Sequence, residues 1–344
     1  MFKRAELMTI QAITPVHVGC GSDLGLVDLP IQREKHTGYP KIESSSIKGC
    51  IREAFEEIAK NKKDVYNVHN IFGYDSASKN CYVKSDKEEY EIVNVDKDVK
   101  ADFKENDKFA GAIGFTDARI LIFPVISAKD VFAYVTCPYV LNRFIDEFIS
   151  IGVESKTGDN LKNFKNRINP SIGKTICSTK CKLKINSEIG PRIVIEEYTY
   201  KVEEDEKVNE LCQALSLQIG VDEEKLLNKL IVVDDSDFRD FVTMNTEVVT
   251  RTKIDNETGT VSGNALFTEE FLPAETVMYS FVLYSPAFST IQVDENDNKM
   301  EASMPVEKVM EYFKEKSKEI PVLQIGGDAT IGKGIVKVNW GCNE

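Results

Sequence analysis

Ser46-Ile47-Lys48-Gly49-Cys50-Ile51-Arg52-Glu53-Ala54-Phe55-Glu56-Glu57-Ile58 places Ile47, Cys50, Ile51, Ala54, Phe55 and Ile58 at spacings i, i+3, i+4, i+7, i+8 and i+11, the single apolar stripe of a helix lying on a sheet. Ser44, Ser45 and Ser46 are residues that cap helix N-termini, and they supply the expected N-cap. Upstream, a loop punctuated by Gly19, Gly21 and Gly25 leads back to Ala5–Thr14, which alternates with Met8, Ile10 and Ala12 on one face and closes at Thr14-Pro15. The same grammar returns at the other end of the chain. Val277 to Tyr284 is an apolar strand; Val306, Val309, Met310 and Phe313 form a second helical stripe that Pro305 opens; Val322 to Ile325 is a strand; Val336, Val338 and Trp340 alternate after a glycine-rich turn. The two ends spell strand, helix, strand, helix, strand, which predicts an α+β fold on a ferredoxin-like, RRM-like skeleton.

The middle has another texture. Lys60 to Lys108 is polar and charged and reads as an insertion with small elements of its own, outside the core. Gly111 to Ile126 and Val131 to Tyr139 are strand-like and extend the sheet, and Asn142 to Lys184 mixes helical apolar spacing with basic residues. Glu247 to Ile254 alternates, Asp255-Asn256-Glu257-Thr258-Gly259 supplies turn chemistry, and a polar return arm runs toward Leu266. The arms of this hairpin carry Arg251 and Lys253 but little apolar face, so it needs a partner surface.

With 344 residues and 42% apolar content, the chain can bury a core of its own in one or two domains. Lys3, Arg4, Glu6 and Gln11 interrupt the opening run, so it is no signal peptide, and no later stretch has the length and apolarity to span a bilayer. A cytoplasmic protein without a membrane partner is expected. The eight cysteines include no C-x-x-C pair and read as reduced thiols; Cys177 and Cys181 could share a helical face, but two ligands do not make a zinc site. A net charge of −13 excludes a protein that coats nucleic acid indiscriminately, while leaving room for a basic groove on an acidic body.

Four constellations bear on chemistry. Gly327 to Lys333 matches G-x-x-x-x-G-K, but Gly334 stands where a phosphate-binding loop needs Ser or Thr, and a strand pattern follows where a helix N-terminus is required, so no nucleotide cofactor is expected. Two readings of this run remain: a flexible turn, or a nest of backbone N–H groups for a phosphodiester to which Lys333 adds charge. Lys48 and Arg52, four apart and opposite the apolar stripe, project to one solvent side near the free N–H groups after the serines, which makes either an anion site or an ordinary basic face. Asp28, in Gly25-Leu26-Val27-Asp28-Leu29-Pro30, is a turn-former or a catalytic carboxylate. His17 is structural or functional, and three histidines in all are few for a histidine-driven site.

These residues fall into a familiar order. Thr14-Pro15-Val16-His17-Val18-Gly19-Cys20-Gly21, then Val27-Asp28-Leu29-Pro30-Ile31-Gln32-Arg33-Glu34-Lys35-His36-Thr37-Gly38-Tyr39-Pro40, then Ser44-Ser45-Ser46-Ile47-Lys48-Gly49-Cys50-Ile51-Arg52 resemble the RAMP superfamily, and within it the fourth-subunit family of the type III-B CRISPR (Cmr) complexes. Phe115-Thr116-Asp117-Ala118-Arg119, Thr250-Arg251-Thr252-Lys253-Ile254-Asp255, Leu266-Phe267-Thr268-Glu269-Glu270 and the glycine-rich run at 326–334 continue the similarity, which covers essentially the whole chain. The resemblance implies one domain: an RRM-like palm from 1–60, 110–140 and 270–344, inserted finger segments at 60–108 and 142–240, and a thumb hairpin at about 244–270. It also implies copies of the chain stacked along guide crRNA with other Cmr subunits, and cleavage of complementary target RNA at regular intervals.

In that family the aspartate matching Asp28 carries metal-dependent cutting, so Asp28 is the expected catalytic group and ligand for Mg2+ or Mn2+, with His17, Glu269 and Glu270 as helpers. Ser44, Ser45, Ser46, Lys48, Gly49, Arg52, Arg33, Arg251, Lys253, Gly326, Gly327, Thr330, Gly332, Lys333 and Gly334 are the expected RNA contacts. Two alternatives stay open: a scaffold that binds crRNA without cutting, and a stand-alone endonuclease that processes CRISPR RNA.

Overall fold

The first strand, Arg4–Ala12, lies antiparallel between Val277–Tyr284 and Ile335–Asn339. Val277–Tyr284 pairs in turn with Ala118–Ile126, and Ile335–Asn339 with Val322–Gln324, all antiparallel. The structure, a computed structural model, describes residues 2–23, 25–74, 81–84, 90–93, 108–153, 161–171, 173–289, 291–293 and 299–341. It is a mixed α+β chain whose large sheet continues beyond Ala118–Ile126 through Phe132–Thr136, Leu230–Val232, Lys174–Cys177, Tyr198–Glu204 and Arg192–Ile195. The segment at 142–240 thus supplies a whole flank of the same sheet.

Helices cover both faces. Helix α1, Ser44–Glu57, buries Ile47, Ile51 and Phe55, and the helix Val306–Ser317 buries Val306, Val309 and Phe313 in the same core as Met8, Ile10 and Ala12. Phe55 stacks on Phe313 with ring centroids 5.2 Å apart. Each such buried side chain stabilises by roughly 1.5–3 kcal/mol. The opposite face carries Leu7 and is roofed by Pro138–Ile151, Glu206–Ile219, Glu223–Lys229 and Asp235–Met244. There the Thr9 hydroxyl donates to the Ile219 carbonyl at 3.1 Å. Leu7 to Ile10 of the first strand are therefore buried on both faces, with polar Thr9 satisfied by a helix end 210 residues away.

Three expectations need correction. Helix α2, Lys62–Phe72, belongs to the core: Val65, Tyr66, Val68 and Ile71 are fully buried, and the charged opening Lys62-Lys63-Asp64 hides that stripe from a composition reading. The rest of the expected insertion contains a hairpin of Cys81–Lys84 with Tyr90–Val93; residues 75–80, 85–89 and 94–107 lie outside the described residues. The serines do not cap α1. Glu43 occupies the N-cap without a side-chain bond, Ser44 is already helical, and its N–H is taken by Asp117 Oδ1 at 2.9 Å. A carboxylate from the connection between Ile113–Phe115 and Ala118–Ile126 does the capping because Lys41 pins it in place at 2.9 Å. Cys177 and Cys181 share no helical face; Cys177 ends a strand and Cys181 lies in the following turn.

Candidate functional site

The hairpin Glu247–Ile254/Val261–Phe271 forms a two-stranded sheet of its own, and the loop bearing Asp28 docks onto its return arm. Leu29 N–H donates to Thr268 O at 3.0 Å, and Glu270 N–H to Leu29 O at 3.0 Å, so the loop adds a short parallel rung outside the hairpin. Asp28 itself is exposed. Its Oδ2 accepts the Thr268 N–H at 2.7 Å and the Thr268 hydroxyl at 2.9 Å, while that hydroxyl accepts the Asp28 N–H at 2.9 Å. The Thr268 backbone donor and then its hydroxyl hold the Asp28 carboxyl below the usual aspartate range, so it is ionised at neutral pH.

Behind this exposed carboxylate lies a buried charged layer. Glu270 accepts from the Arg33 guanidinium, from Thr246 Oγ1 at 2.7 Å and from Ile31 N–H at 3.0 Å. Arg33 also donates to the carbonyls of Gly38 and Val242, each at 2.9 Å, so its donors are committed to protein acceptors that tie loop to hairpin. His17 is buried, with Nδ1 2.7 Å from the Glu270 carbonyl and Nε2 3.4 Å from Glu269 Oε1. A carbonyl can only accept, so Nδ1 carries a proton, and the Nε2 contact is favourable when the His17–Glu269 pair holds one more. Burial, reinforced by the Asp328 carboxylate and opposed by His17 and Arg251, pushes the Glu269 carboxyl upward. Arg251 bridges Glu269 at 3.0 Å and Asp328 at 2.9 Å. His17, Glu269 and Glu270 are thus enclosed, whereas Asp28 is exposed.

The glycine-rich run packs on the same layer. Gly327 N–H donates to His17 O at 2.9 Å and Gly334 N–H to Pro15 O at 2.9 Å, while the N–H groups of Gly332 and Lys333 bond within the turn. These four donors are therefore occupied, which removes most of the expected nest, and Ile335–Asn339 follows as a strand. A Cβ on Gly326 would fall 2.1 Å from His17 O, so close approach of two backbones demands this glycine. Thr330 lies in a single 3-10 turn, Ala329–Ile331. Lys333 rests its ammonium 4.9 Å from the Phe271 ring centroid.

Helix α1 meets this run from the other side, the Gly326 N–H facing the Cys50 thiol. Lys48 is half-buried with no carboxylate partner among the described residues, and burial plus the Arg52 charge push its amine downward. Ser45 and Gly49 are exposed, and a Cβ on Gly49 would meet nothing within 4 Å. Arg52 corrects the sequence reading: it bonds Glu56 at 2.7 Å, Gly73 O at 3.2 Å and lies 3.4 Å from His69 Nδ1, because α2 crosses that face. Lys253, on the hairpin, is exposed.

Sequence reasoning singled out neither Thr268, Asp328 nor Asp117. Each was in view within a quoted motif, but their partners stand 240, 77 and 73 residues away, and no local spacing reports such pairs.

Residues 9–337 match the RAMP superfamily. The chain is 32% identical over 338 residues to the CRISPR system Cmr endoribonuclease Cmr4 of Pyrococcus furiosus, covering 97% of this chain and 95% of that one. The crystal structure of oligomeric Cmr4 from Pyrococcus furiosus superposes with a TM-score of 0.63 at 29% identity, covering 98% of this chain and 97% of that one. A chain of the type III-B Cmr-beta complex bound to cognate target RNA shares the fold, with a TM-score of 0.64 at 21% identity over 98% of each.

Proposed function

Because this chain belongs to the RAMP superfamily, we propose that it is the repeated backbone subunit of a type III-B CRISPR (Cmr) effector complex, binding guide crRNA and cutting complementary target RNA. The observation that carries this reading is the exposed, ionised Asp28 clamped to the base of a hairpin, on a chain whose Lys48, Lys253 and Lys333 have no carboxylate partner among the described residues. The strand order Ala118–Ile126, Val277–Tyr284, Arg4–Ala12, Ile335–Asn339, all antiparallel, with α1 and Val306–Ser317 on one face, supports an RRM-like palm. Since helices roof the opposite face, guide RNA runs along the α1 edge, not across the open sheet.

Lys48 is the principal guide-phosphate contact, because a half-buried ammonium without a carboxylate gains most from an anion. Gly49 leaves room there for a nucleic-acid backbone, Ser44 to Ser46 line the same end, and Lys333 and Lys253 add charge toward the target side. Arg52, Arg33 and the glycines at 326, 327, 332 and 334 shape this surface from within.

Cutting uses the RNA's own 2′-hydroxyl. When a nucleotide is displaced from the duplex by the hairpin, its 2′-oxygen aligns with the adjacent phosphorus, bonds to it and expels the 5′-oxygen of the next nucleotide. The products are a cyclic phosphate and a 5′-hydroxyl; the 2′-proton leaves toward Asp28 or its bound water, and the leaving oxygen takes one from solvent. Among the described residues no cluster of three or more His, Cys, Asp or Glu converges on a metal, so Asp28 fits Mg2+ or Mn2+ only as one ligand among RNA phosphate oxygens and water. Bound there, the ion would neutralise charge building on the phosphate.

The test is a reconstituted complex with guide and labelled complementary RNA. Wild type gives evenly spaced, magnesium-requiring cuts, and Asp28→Ala abolishes them while target binding persists. Unchanged cutting by Asp28→Ala would establish the scaffold reading, and cutting of repeat RNA by the isolated chain the processing one.

A further inference from the structure

We propose that Thr268 is a positioning residue for cleavage, clamping Oδ2 of Asp28 with two donors so that Oδ1 alone faces the RNA. The inference rests on Asp28 carrying the cut. Its basis is the three-bond clamp: Thr268 N–H and Oγ–H to Oδ2 at 2.7 and 2.9 Å, and Asp28 N–H back to Thr268 Oγ1 at 2.9 Å. Among the described residues Oδ1 has no hydrogen bond to another residue. A carboxylate on an exposed loop otherwise samples several rotamers; two donors on one oxygen select one of them and leave a single lone-pair-bearing atom outward.

The clamp also has a direction. Thr268 faces Thr250 across the hairpin, so it is part of the arm that meets the duplex, whereas Asp28 belongs to the palm loop. Leu29 and Glu270 exchange a further bond beside it. Seating the hairpin on a duplex thus sets where Asp28 stands, and the specificity for displaced nucleotides follows from the same contact.

The experiment uses the full reconstituted complex, with single-turnover cleavage measured against magnesium concentration for wild type, Thr268→Val, Thr268→Ser and Asp28→Ala, and with target retention measured in parallel. Thr268→Val keeps the backbone donor and side-chain shape. It is expected to cut about tenfold more slowly, as a misplaced reacting group does, with target retention unchanged; Thr268→Ser restores the rate. If Asp28→Ala cuts normally, the proposed function fails first. If Asp28→Ala is dead while Thr268→Val matches wild type in rate, the clamp has no positioning role and this inference is wrong. A slower Thr268→Val that serine does not rescue also overturns it. Should Thr268→Val not enter the complex, Thr268→Ala is read by the same criteria.

Discussion

Gly326→Ala separates a glycine run built for packing from one built for phosphate. At Gly326 φ is +87°, and an added Cβ would lie 2.1 Å from His17 O and 2.8 Å from its carbonyl carbon. The left-handed conformation alone costs an L-residue roughly 1–2 kcal/mol. Relief of the clash requires the run to move away from His17, which breaks the 2.9 Å bond from Gly327 N–H and removes about another 1 kcal/mol. With residual strain the sum is about 3–5 kcal/mol, within the range reserved for identifiable packing or backbone faults. Gly334→Ala should match it, since φ is +76° and the Cβ would fall 2.2 Å from Ile325 O. Gly332→Ala, with φ +78° and nothing within 4 Å, should cost about 1 kcal/mol, and Gly327→Ala, whose Cβ would lie at ordinary contact distance, 3.6 Å from His17 Cδ2 and 4.0 Å from His17 O, less than that. Denaturant unfolding of the four purified variants supplies the order. Equal losses at Gly326 and Gly327, or a Gly326→Ala chain as stable as wild type yet unable to bind RNA, would refute the packing argument.

His69 is 1% exposed, and burial together with the Arg52 charge holds its ring down to about 4 from an ordinary 6.5. The unfolded ring takes up a proton below 6.5 while the folded one stays neutral, so stability is lost as pH falls from 6.5 toward 4, by on the order of 3 kcal/mol. His69→Phe should flatten that window in pH-dependent unfolding; identical slopes would contradict it. Arg33→Met leaves buried Glu270 without its cation and should cost about 3–5 kcal/mol in thermal or denaturant unfolding, whereas a pure RNA contact would leave stability unchanged. Lys48→Ala should lower the salt dependence of guide binding by about 0.7 in log–log slope and shift stability by less than about 0.5 kcal/mol; an unaltered slope removes Lys48 from the phosphate contacts.

The strands and helices at the two ends were legible because alternation and the 3.6-residue stripe are local signals, as with Met8, Ile10 and Ala12 or Ile47, Ile51 and Phe55. The hairpin was legible from its turn chemistry. What stayed hidden depends on partners distant in sequence. Thr9 looks like a solvent-facing residue until the end of Glu206–Ile219 covers it, and the three serines look like a cap until Asp117 takes the Ser44 N–H. Helix α2 was masked by its charged first turn. In the candidate site, the family resemblance pointed to Asp28 where its residue type and loop left a turn-former open, and nothing local distinguished it from the buried Glu269 and Glu270, or distinguished Arg33, a structural tie, from Lys48.

The net charge of −13 is compatible with an RNA-facing surface because of where the negative charges are used. Around the site, Glu34 is held by Arg143, Glu270 by Arg33, Glu269 and Asp328 by Arg251, and Asp117 by Lys41. Carboxylates enclosed with a cation project little field outward, and each enclosed pair is close to neutral. Lys48, Lys253 and Lys333 have no carboxylate partner among the described residues, so they and the exposed Asp28 contribute to the potential that a phosphodiester meets at this face. Substituting an enclosed glutamate by glutamine therefore frees an arginine and raises the local positive potential, at a cost in fold. Substituting Asp28 raises that potential at no such cost, which is why Asp28→Ala should hold target RNA at least as tightly as wild type while losing the ability to cut it.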